Sequence, residues 1–482
     1  MIRVLAVASE IFPLVKTGGL GDVVGALPPA LAATGTQAIT MVPGYKAVLG
    51  RLEGAEPVHR FPDLFGGPAT VIRGTAAGLD LLALDAPHLF GREGNPYLAP
   101  DGREWPDNSL RFAGLGAAAA AIGAGIVPGL QFDIVHAHDW QAAMAAVYLH
   151  FHQGPRPATI VTIHNLAFQG QYPADVFARL GLPATAFSMH GLEFHGDVNF
   201  LKGGLAYADW LTTVSPTYAR EITGIENGMG LDGLLRHRAD RLTGILNGID
   251  DRIWNPATDP LIAAPFNTQR LARRAANKAA LQDRMGLDPE GDRLLIGVVS
   301  RLTSQKGLDM LLDRISAVLS HDGQLALLGA GEPALERAFT TAAERHKGRI
   351  GCILGYDEAL AHLMQAGSDA LLVPSRFEPC GLTQLYALRY GAVPVVSRVG
   401  GLADSVIDAN QAALNAGVAT GVQFWPATPD ALEDALQRVI SLWHDRRTWQ
   451  RIQRNGMAAD VSWTGSAARY LALYRQLLAE RS

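Results

Sequence analysis

Hydrophobic residues form short, nearly unbroken runs along most of the chain. In the first half these runs lie at residues 4–8, 38–42, 79–84, 133–137, 159–163, 210–214 and 242–246. They return at residues 294–299, 324–328, 351–354, 370–374 and 393–397. Runs without polar alternation are typical of parallel strands that helices cover on both faces. The pattern therefore predicts an α/β fold with two doubly wound, Rossmann-like domains, which we expect to face a central cleft.

Helical spacing and turn-forming residues predict where the domains begin and end. Apolar residues recur at helical spacing near 307–320, 333–346, 357–366, 381–391 and 466–480. Asn-Gly and Asn-Pro pairs, which favour turns, lie near residues 247–256. We therefore predict an N-terminal domain at 1–245, a linker at 246–256, a C-terminal domain at 257–460, and a C-terminal helical segment at 461–482. The apolar face of that last helix suits either domain, including the N-terminal one.

Composition and charge exclude several classes of protein. The 482 residues are 48% hydrophobic and 18% charged, as in folded globular enzymes, and this length exceeds what one core usually supports. A net charge of −5 without a basic tract predicts neither nucleic acid nor a membrane surface as a partner. Residues 112–132 carry no charge but are mostly Ala and Gly, which favours a buried helix over a membrane span. Two cysteines and no secretory signal predict a cytoplasmic location.

A glycine-rich segment follows the first predicted strand and opens a helix. It reads Lys16-Thr17-Gly18-Gly19-Leu20-Gly21-Asp22. Backbone amides in such a turn, the positive helix N-terminus and a lysine together suit an anion. A plain strand-to-helix turn with a surface lysine remains the alternative. The spacing of the glycines is not the dinucleotide-binding fingerprint, which disfavours an oxidoreductase.

Two further segments occupy strand-to-helix loops of the predicted C-terminal domain. Arg301 and Lys306 share one loop and suit a diphosphate, although two solvated cations at a helix start remain possible. Glu378 lies between an aromatic residue and a proline, where a rigid carboxylate suits sugar or ribose hydroxyls or, alternatively, caps the helix. The amides of residues 381–383 suit a phosphate. Without a histidine beside it in sequence, Cys380 is interpreted as a core residue and not as a nucleophile.

Histidines follow two neighbouring strands of the predicted N-terminal sheet. The chain reads His136-Ala137-His138-Asp139-Trp140 after one strand and His164-Asn165 after the next. We expect the side chains of His136 and His138 to point to opposite faces of the sheet, and therefore expect no metal site. His164, at the end of its strand, suits a hydrogen bond to a sugar.

The ordered set of motifs resembles the family of bacterial glycogen synthases and plant starch synthases. The segments that carry the resemblance are KTGGLGD at 16–22, HAHDW at 136–140, TIHN at 162–165, TVSPTYAREI at 213–222, GLDG at 230–233, LNGID at 246–250, SRLTSQKG at 300–307 and SRFEPCGLTQ at 375–384. The resemblance runs from residue 2 to about residue 480. It implies a GT-B fold and transfer of glucose from ADP-glucose to the non-reducing end of glycogen or another α-1,4-glucan, with retention of anomeric configuration.

The resemblance also implies roles for individual residues and no metal ion or other cofactor. The implied catalytic residues are His164, Arg301, Lys306 and Glu378. The implied substrate-binding residues are Lys16, Gly18, Gly19, Asp22, Tyr97, Asp139, Trp140, Asn165, Asn247, Cys380, Gly381, Leu382 and Thr383. The chain departs from the family pattern at Val399, where a threonine is usual, so a hydroxyl contact to the donor is lost there.

Two mechanisms and several rival functions remain open at the level of sequence. On the basis of the resemblance, we expect cations and helix-start amides to hold the leaving diphosphate without Mg²⁺. Retention is compatible with a covalent carboxylate intermediate or with front-face attack, and the absence of paired carboxylates by spacing favours the second. The rivals are a UDP-, GDP- or sucrose-type sugar transferase, a pyridoxal phosphate-dependent phosphorylase, and a catalytically silent glucan- or nucleotide-binding protein.

Overall fold

The computed structural model describes residues 1–481 and divides the chain into two compact units. The first unit contains residues 1–247 together with the segment that begins at Trp463, and the second contains residues 248–462. Residues 246–247 of the predicted linker lie in the first unit and residues 248–256 in the second. Ser482, the last residue of the predicted C-terminal segment, lies outside the described residues.

The first unit is built on a mainly parallel sheet. Its strands are β1 (Arg3–Val7), β2 (Gln37–Pro43), β3 (Glu53–Phe61), β4 (Ala69–Ala76), β5 (Leu79–Asp85), β6 (Ile134–His138), β7 (Ala158–Ile163), β8 (Gln171–Tyr172), β9 (Glu193–Phe194), β10 (Asp197–Asn199), β11 (Trp210–Thr213) and β12 (Leu242–Gly244). The large sheet has the order β12-β11-β7-β6-β1-β2-β5-β4-β3, and β8, β10 and β9 form a small antiparallel sheet. β1, β6 and β7 are adjacent and parallel, so the loops that follow them start from one edge.

Helices of the first unit cover the sheet, and several of them begin directly after the loops at the carboxyl ends of its strands. They are α1 (Gly19–Ala32), α2 (Lys46–Leu49), α3 (Pro87–Phe90), α4 (Asn108–Gly123), α5 (Asp139–His150), α6 (Phe200–Tyr207), α7 (Pro216–Glu221) and α8 (Asp232–His237), with short 3-10 turns at 174–179, 184–186 and 239–241. α4 is buried over almost its whole length, because small Ala and Gly side chains allow it to approach α5 closely. It ends at Gly123, so the helix expected over 112–132 begins earlier and is shorter.

The second unit has a fully parallel sheet. Its strands are β13 (Leu295–Val299), β14 (Gln324–Gly329), β15 (Ile350–Leu354), β16 (Ala370–Val373), β17 (Val393–Ser397) and β18 (Val422–Phe424), in the order β15-β14-β13-β16-β17-β18. Its helices are α9 (Arg274–Met285), α10 (Leu308–Asp313), α11 (Ile315–Ser320), α12 (Pro333–Arg345), α13 (Glu358–Gly367), α14 (Thr383–Tyr390), α15 (Gly400–Ser405), α16 (Gln411–Ala416), α17 (Pro429–His444) and α18 (Arg446–Ala458), with 3-10 turns at 268–273 and 304–306. Two separate helices, α10 and α11, replace the single helix predicted at 307–320, because Arg314 between them leaves helical geometry.

The last helix, α19 (Trp463–Ala479), packs against α1 in the first unit. Its Trp463, Tyr470, Tyr474 and Leu477 are buried in a cluster with residues of α1, β1, β6 and β7. Helix α19 therefore belongs to the same hydrophobic core as β1 and α1. None of the helices within residues 1–481 is long and apolar enough to cross a membrane.

Candidate active site

The glycine-rich loop between β1 and α1 is tied to a buried carboxylate, that of Glu10. Glu10 is 3% exposed and accepts hydrogen bonds from the backbone N and the Oγ1 of Thr17, both at 2.6 Å, and from the backbone N of Gly18 at 3.3 Å. The amides of residues 17 and 18 therefore face an anion of the protein itself. The next amides belong to the first turn of α1, beginning at Gly19, which no side chain caps. Of the backbone amides that the sequence predicts to bind an anion, only those in the first turn of α1 remain available.

Lys16 and Tyr97 are fixed around the same loop. The Lys16 ammonium pairs with Asp22 at 2.8 Å and lies 5.4 Å from the centroid of the Phe12 ring. The Tyr97 hydroxyl donates to Glu10 and lies 2.8 Å from the Ser9 hydroxyl. Burial and the charge of Glu10 raise the pKa of Tyr97 well above its ordinary value, so this phenol stays protonated. Sequence reasoning did not identify Glu10, because a single acidic residue after a strand has no distinguishing pattern.

Asp139 joins the loop after β6 to the loop after β7. Its Oδ1 accepts hydrogen bonds from the backbone N of His164 at 2.6 Å and of Asn165 at 3.3 Å. Burial raises the pKa of Asp139 to about 7, with the Glu10 charge acting in the same direction and the two amides against it. Asp139 begins α5 with φ of +60°, a left-handed conformation that costs a non-glycine residue free energy. The two hydrogen bonds from the His164–Asn165 turn hold the carboxylate in place and help to offset this strain.

The histidines converge, so the expectation that His136 and His138 diverge is wrong. Their rings stack with centroids 4.3 Å apart, because residues i and i+2 of a strand lie on the same face. The Nδ1 of His138 lies 2.9 Å from the Nε2 of His164. Burial lowers the pKa of His138 to about 3 and the pKa values of His136 and His164 well below their ordinary range, so all three are neutral. Within residues 1–481 no group of three or more His, Cys, Asp or Glu is arranged to hold a metal ion.

The remaining predicted residues of the first unit differ in their surroundings. Trp140 is buried in the core, edge-on to Phe112 at 4.9 Å between ring centroids. The Oδ1 of Asn165 accepts a hydrogen bond from the backbone N of Ala167 and closes the turn. Asn247 is buried, and its Oδ1 has no hydrogen-bond partner in the part of the chain that the structure covers. A buried, unpaired amide oxygen at the end of the unit has hydrogen-bonding capacity to spare.

In the second unit, Lys306 and Glu378 form a largely buried ion pair. The Lys306 Nζ lies 2.6 Å from the Glu378 Oε2, which also accepts a hydrogen bond from the Ser375 hydroxyl at 2.8 Å. Gly307 allows this approach: its φ is +66°, and a Cβ there would lie 2.1 Å from the Pro374 carbonyl oxygen. Arg301 starts the same loop, and its exposed guanidinium has no partner among the side chains that the structure describes.

The loops that carry these residues are bound to one another by backbone hydrogen bonds. Leu302 donates to Ala330 in the loop after β14, and Gly355 after β15 donates to Gly329. On the other side of β13, Arg376 donates to Gln305. The loops after β13, β14, β15 and β16 therefore form one rigid rim at the carboxyl ends of the parallel strands, where ligands of such sheets bind.

The segment after β16 packs against the start of α15. Gly401 donates a backbone hydrogen bond to the carbonyl of Glu378 at 3.1 Å. A Cβ on Gly400 would lie 2.0 Å from that same carbonyl oxygen, so only glycine permits the contact. Cys380 is buried, Gly381 has φ of +72°, and Leu382 and Thr383 lead into α14. Val399 is buried in an apolar cluster with Leu402 and Val406, which accommodates a valine better than a hydroxyl.

An exposed aromatic residue on this rim was not identified from the sequence. Tyr356 follows β15, is 74% exposed, and donates its hydroxyl hydrogen to the carboxylate of Glu358. Leu354 beside it is 45% exposed. A Gly-Tyr-Asp sequence resembles an ordinary turn, and only its position on the rim after β15 makes it noteworthy.

Comparison with known proteins agrees with the resemblance seen in the sequence. Residues 3–237 match the model of the starch synthase catalytic domain, and residues 282–456 match that of the glycosyl transferases group 1. A glycogen synthase of Rhodopseudomonas palustris is 60% identical over 481 residues, spanning 100% of this chain and 98% of that protein. The chain belongs to the glycogen synthase family.

Other members of the family match over the whole chain. A glycogen synthase of Methylocella silvestris is 59% identical over 480 residues, covering 100% of this chain and 99% of its own. The solved catalytic domain of starch synthase IV from Arabidopsis thaliana, bound to ADP and acarbose, has a TM-score of 0.90 at 33% identity, over 99% of both chains. The predicted family and the predicted GT-B fold class with two Rossmann-like domains are thereby confirmed.

Proposed function

We propose that this glucosyltransferase of the glycogen synthase family transfers glucose from ADP-glucose to the non-reducing end of an α-1,4-glucan, with retention of configuration and without a metal ion or other cofactor. The observation that carries the proposal is the buried Lys306–Glu378 pair beside the exposed Arg301 on one rigid rim. The starch synthase IV catalytic domain is bound to ADP and acarbose, which supports a nucleotide-sugar donor and a glucan acceptor here.

Arg301 and Lys306 hold the diphosphate of the donor. Negative charge develops on the β-phosphate as the bond to glucose breaks, and cations fixed in advance stabilise it without reorganisation. Glu378 and Ser375 fix the position of Lys306, so its ammonium does not have to be ordered when the donor binds. The amides at the uncapped start of α14 add positive potential on the same rim. These groups supply the charge stabilisation that a metal ion provides in other transferases.

Tyr356 provides a platform for the nucleobase. Its ring is exposed on the rim next to Gly355, whose amide donates a hydrogen bond to Gly329 at the end of β14. Aromatic faces of this kind stack with the π-face of any base, so the ring contributes affinity more than selectivity.

The loops of the first unit bind the transferred glucose. The His164–Asn165 turn, held by Asp139, presents neutral hydrogen-bonding groups suited to sugar hydroxyls. The Asp139 carboxylate stabilises positive charge that develops on the glucose ring in the transition state. Lys16 and the uncapped first turn of α1 lie at the same edge of the sheet and suit the donor phosphates.

Front-face attack accounts best for retention. A covalent intermediate requires a carboxylate that is free to attack, yet Glu10 accepts four hydrogen bonds and Asp139 accepts two. Glu10 is thus committed as an acceptor at both carboxylate oxygens, whereas Asp139 accepts both of its hydrogen bonds at Oδ1 and is held beside the His164–Asn165 turn, where it suits charge stabilisation. The leaving phosphate oxygen then takes the proton from the acceptor hydroxyl, and the new glycosidic bond forms on the face from which the diphosphate departs.

The proposal is tested by measuring radiolabelled glucose incorporated into glycogen from ADP-glucose and from UDP-glucose, each with and without EDTA. We expect transfer from ADP-glucose that EDTA does not reduce. Transfer from UDP-glucose alone would replace the donor and keep the rest of the proposal. Saturable ADP binding without transfer would favour the catalytically silent binding protein. A cytoplasmic location stays a prediction from the cysteine content.

A further inference from the structure

The buried histidines of the first unit form a connected set that reaches from the candidate site to α19. His138 stacks on His136 with ring centroids 4.3 Å apart and an interplanar angle of 26°. The Nδ1 of His138 lies 2.9 Å from the Nε2 of His164, within hydrogen-bond distance. Nothing else in the proposed reaction uses His136 or His138, so their burial beside the site needs another explanation.

His136 is held at both ring nitrogens. Its Nδ1 lies 2.9 Å from the Tyr474 hydroxyl of α19, and its Nε2 lies 2.6 Å from the Thr162 hydroxyl of β7. The Thr162 hydroxyl is in turn 2.6 Å from that of Thr212 on β11. A ring bonded at both nitrogens by two elements does not rotate, so it provides a fixed surface for the ring of His138. The cavity that borders His136, His138 and Tyr474 has a volume of about 10 Å³, which leaves space for at most one water molecule.

The bond between His138 and His164 couples the proton positions of the two rings. A neutral imidazole has one N–H and one acceptor nitrogen, so one of the two rings donates in this bond and the other accepts. The state of the Nε2 of His164 then determines whether its Nδ1 is a donor or an acceptor toward a ligand. Burial keeps both rings neutral, so no second proton relaxes this constraint.

We propose that His138 is a positioning residue that fixes the ring orientation and tautomer of His164, and that Tyr474 of α19 supports it through His136. The proposal rests on the proposed function, in which His164 contacts the transferred glucose. The C-terminal helix thereby contributes to the rate of glucose transfer without touching the substrate. Residues that orient metal-ligating histidines change activity by about 10- to 100-fold when they are removed, and we expect an effect of that order for a residue that orients a sugar-binding histidine.

Two substitutions at position 138 separate positioning from packing. An Asn side chain places its amide near the position of Nδ1, whereas a Gln side chain places it near the position of Nε2. We expect His138→Gln to lower kcat at least about tenfold with the KM for ADP-glucose and the melting temperature little changed, and His138→Asn to recover most of that loss. Equal kcat values in the Asn and Gln variants at equal stability would overturn the proposal.

Tyr474→Phe tests the support from α19 if the substitutions at position 138 impair folding. It removes one hydroxyl and keeps the buried ring, so we expect a fall in kcat of about threefold or more with KM unchanged. Tyr470→Phe, which removes a hydroxyl from the same face of α19, is the matched control and should keep kcat within about twofold. A Tyr474→Phe variant no slower than the Tyr470→Phe variant would remove α19 from the proposal.

A spectroscopic readout separates this proposal from the proposed function. The ¹⁵N signals of the His164 ring report its tautomer whether or not glucose is transferred. We expect a single neutral tautomer in the unaltered chain and in His138→Asn, and a mixture in His138→Gln. Absence of glucose transfer by the unaltered chain would refute the proposed function alone, whereas a mixture of tautomers in the unaltered chain would refute the positioning role alone.

Discussion

Asp139 combines a strained backbone with a pKa near neutrality, which predicts a characteristic dependence of activity on pH. Burial raises its pKa to about 7, so the carboxylate forms as the pH rises through that value. Because the charged form stabilises the developing positive charge on glucose, we expect kcat/KM to rise through about pH 7. Asp139→Asn should lack this limb and be slower by about 100-fold. Profiles of kcat/KM against pH for both proteins provide the measurement, and a limb that persists in the Asn variant would assign the titration elsewhere.

The same raised pKa predicts the effect of Asp139 on stability. The folded chain binds this proton more tightly than the unfolded chain, whose aspartate pKa is about 3.9. The contribution of Asp139 to stability therefore falls as the pH rises from about 4 to about 7. We expect Asp139→Asn to melt at a higher temperature than the unaltered chain at pH 8 and at a similar temperature at pH 4. A lower melting temperature of the variant at pH 8 would show that the charged carboxylate stabilises the fold.

Lys306 should matter far more than an exposed lysine in a comparable ion pair. Lys306→Ala removes a cation from the proposed diphosphate site and leaves Glu378 buried with only Ser375 as a partner. We expect kcat/KM for ADP-glucose to fall by about 100-fold or more and the stability to fall as well. Lys46→Ala breaks an exposed pair with Glu93 and is the control, with kcat/KM expected to stay within about twofold. Similar losses in both variants would exclude a special role for Lys306.

At the scale of single residues, the sequence predicts those that belong to recognisable motifs. It does not predict contacts between residues that are brought together only by folding. Lys306 and Glu378 are 72 positions apart, and each was identified from its own loop. Their direct contact was not predicted, because it depends on the adjacency of β13 and β16. Glu10 was not predicted either, because its hydrogen bonds with Thr17, Gly18 and Tyr97 form only in the folded unit.

At the scale of elements, the residue that precedes α15 departs from the family pattern, and the effect of this difference can be tested. Val399 precedes the helix, and its carbonyl already accepts the amides of Leu402 and Ala403, while the amide of Gly401 is bonded to Glu378 and Pro379. A threonine hydroxyl would therefore find no open amide of this turn and would be buried in the apolar cluster. We expect Val399→Thr to lower the free energy of unfolding by about 1 kcal/mol and to leave the ratio of ADP-glucose to UDP-glucose transfer unchanged.

Denaturant unfolding and donor competition with the Val399→Thr variant check this prediction. Val399→Ala is a useful comparison, because it removes volume from the same cluster without adding a polar group. A shift of donor preference toward ADP-glucose in the threonine variant alone would show that a hydroxyl at this position contacts the donor, as the family pattern implies.

The predicted elements differ most from the structure where the hydrophobic pattern is weak. The buried parallel strands were located from their apolar runs. β3 was not predicted, because most of its residues are exposed at the edge of the sheet and it has no continuous apolar run. β18 was missed because it is only three residues long and lies at the other sheet's edge. Amphipathic α17 and α18 follow it and were likewise not predicted.

At the scale of the whole molecule, the end of the chain belongs to the core of its first unit. α19 buries Trp463, Tyr470, Tyr474 and Leu477 against α1 and the sheet. We predict that a chain ending at Asp460 loses the fold of the first unit, because these apolar groups leave an exposed core surface. A chain ending at Ala479 keeps the helix and is the control. Limited proteolysis with mass spectrometry should find cleavage spread over residues 1–247 only in the shorter chain.

The sequence predicts two α/β domains because each has its own set of buried strands. It does not specify which domain the last helix joins, because an amphipathic face fits any apolar surface of the right shape. That choice depends on complementarity with α1, including the Tyr474 contact to His136. Protection of residues 1–247 in the chain ending at Asp460 would show that the first unit folds without α19.

The most direct test of the proposed glucosyl transfer measures nucleotide release and glucan growth in one reaction. The purified chain is incubated with ADP-glucose and a short maltooligosaccharide, and released ADP is measured together with the lengths of the products. We predict one ADP for each glucose added, with α-1,4-linked products that lengthen one unit at a time and no growth when glucose 1-phosphate replaces ADP-glucose. Release of ADP without longer products, or growth from glucose 1-phosphate, would contradict the proposed function.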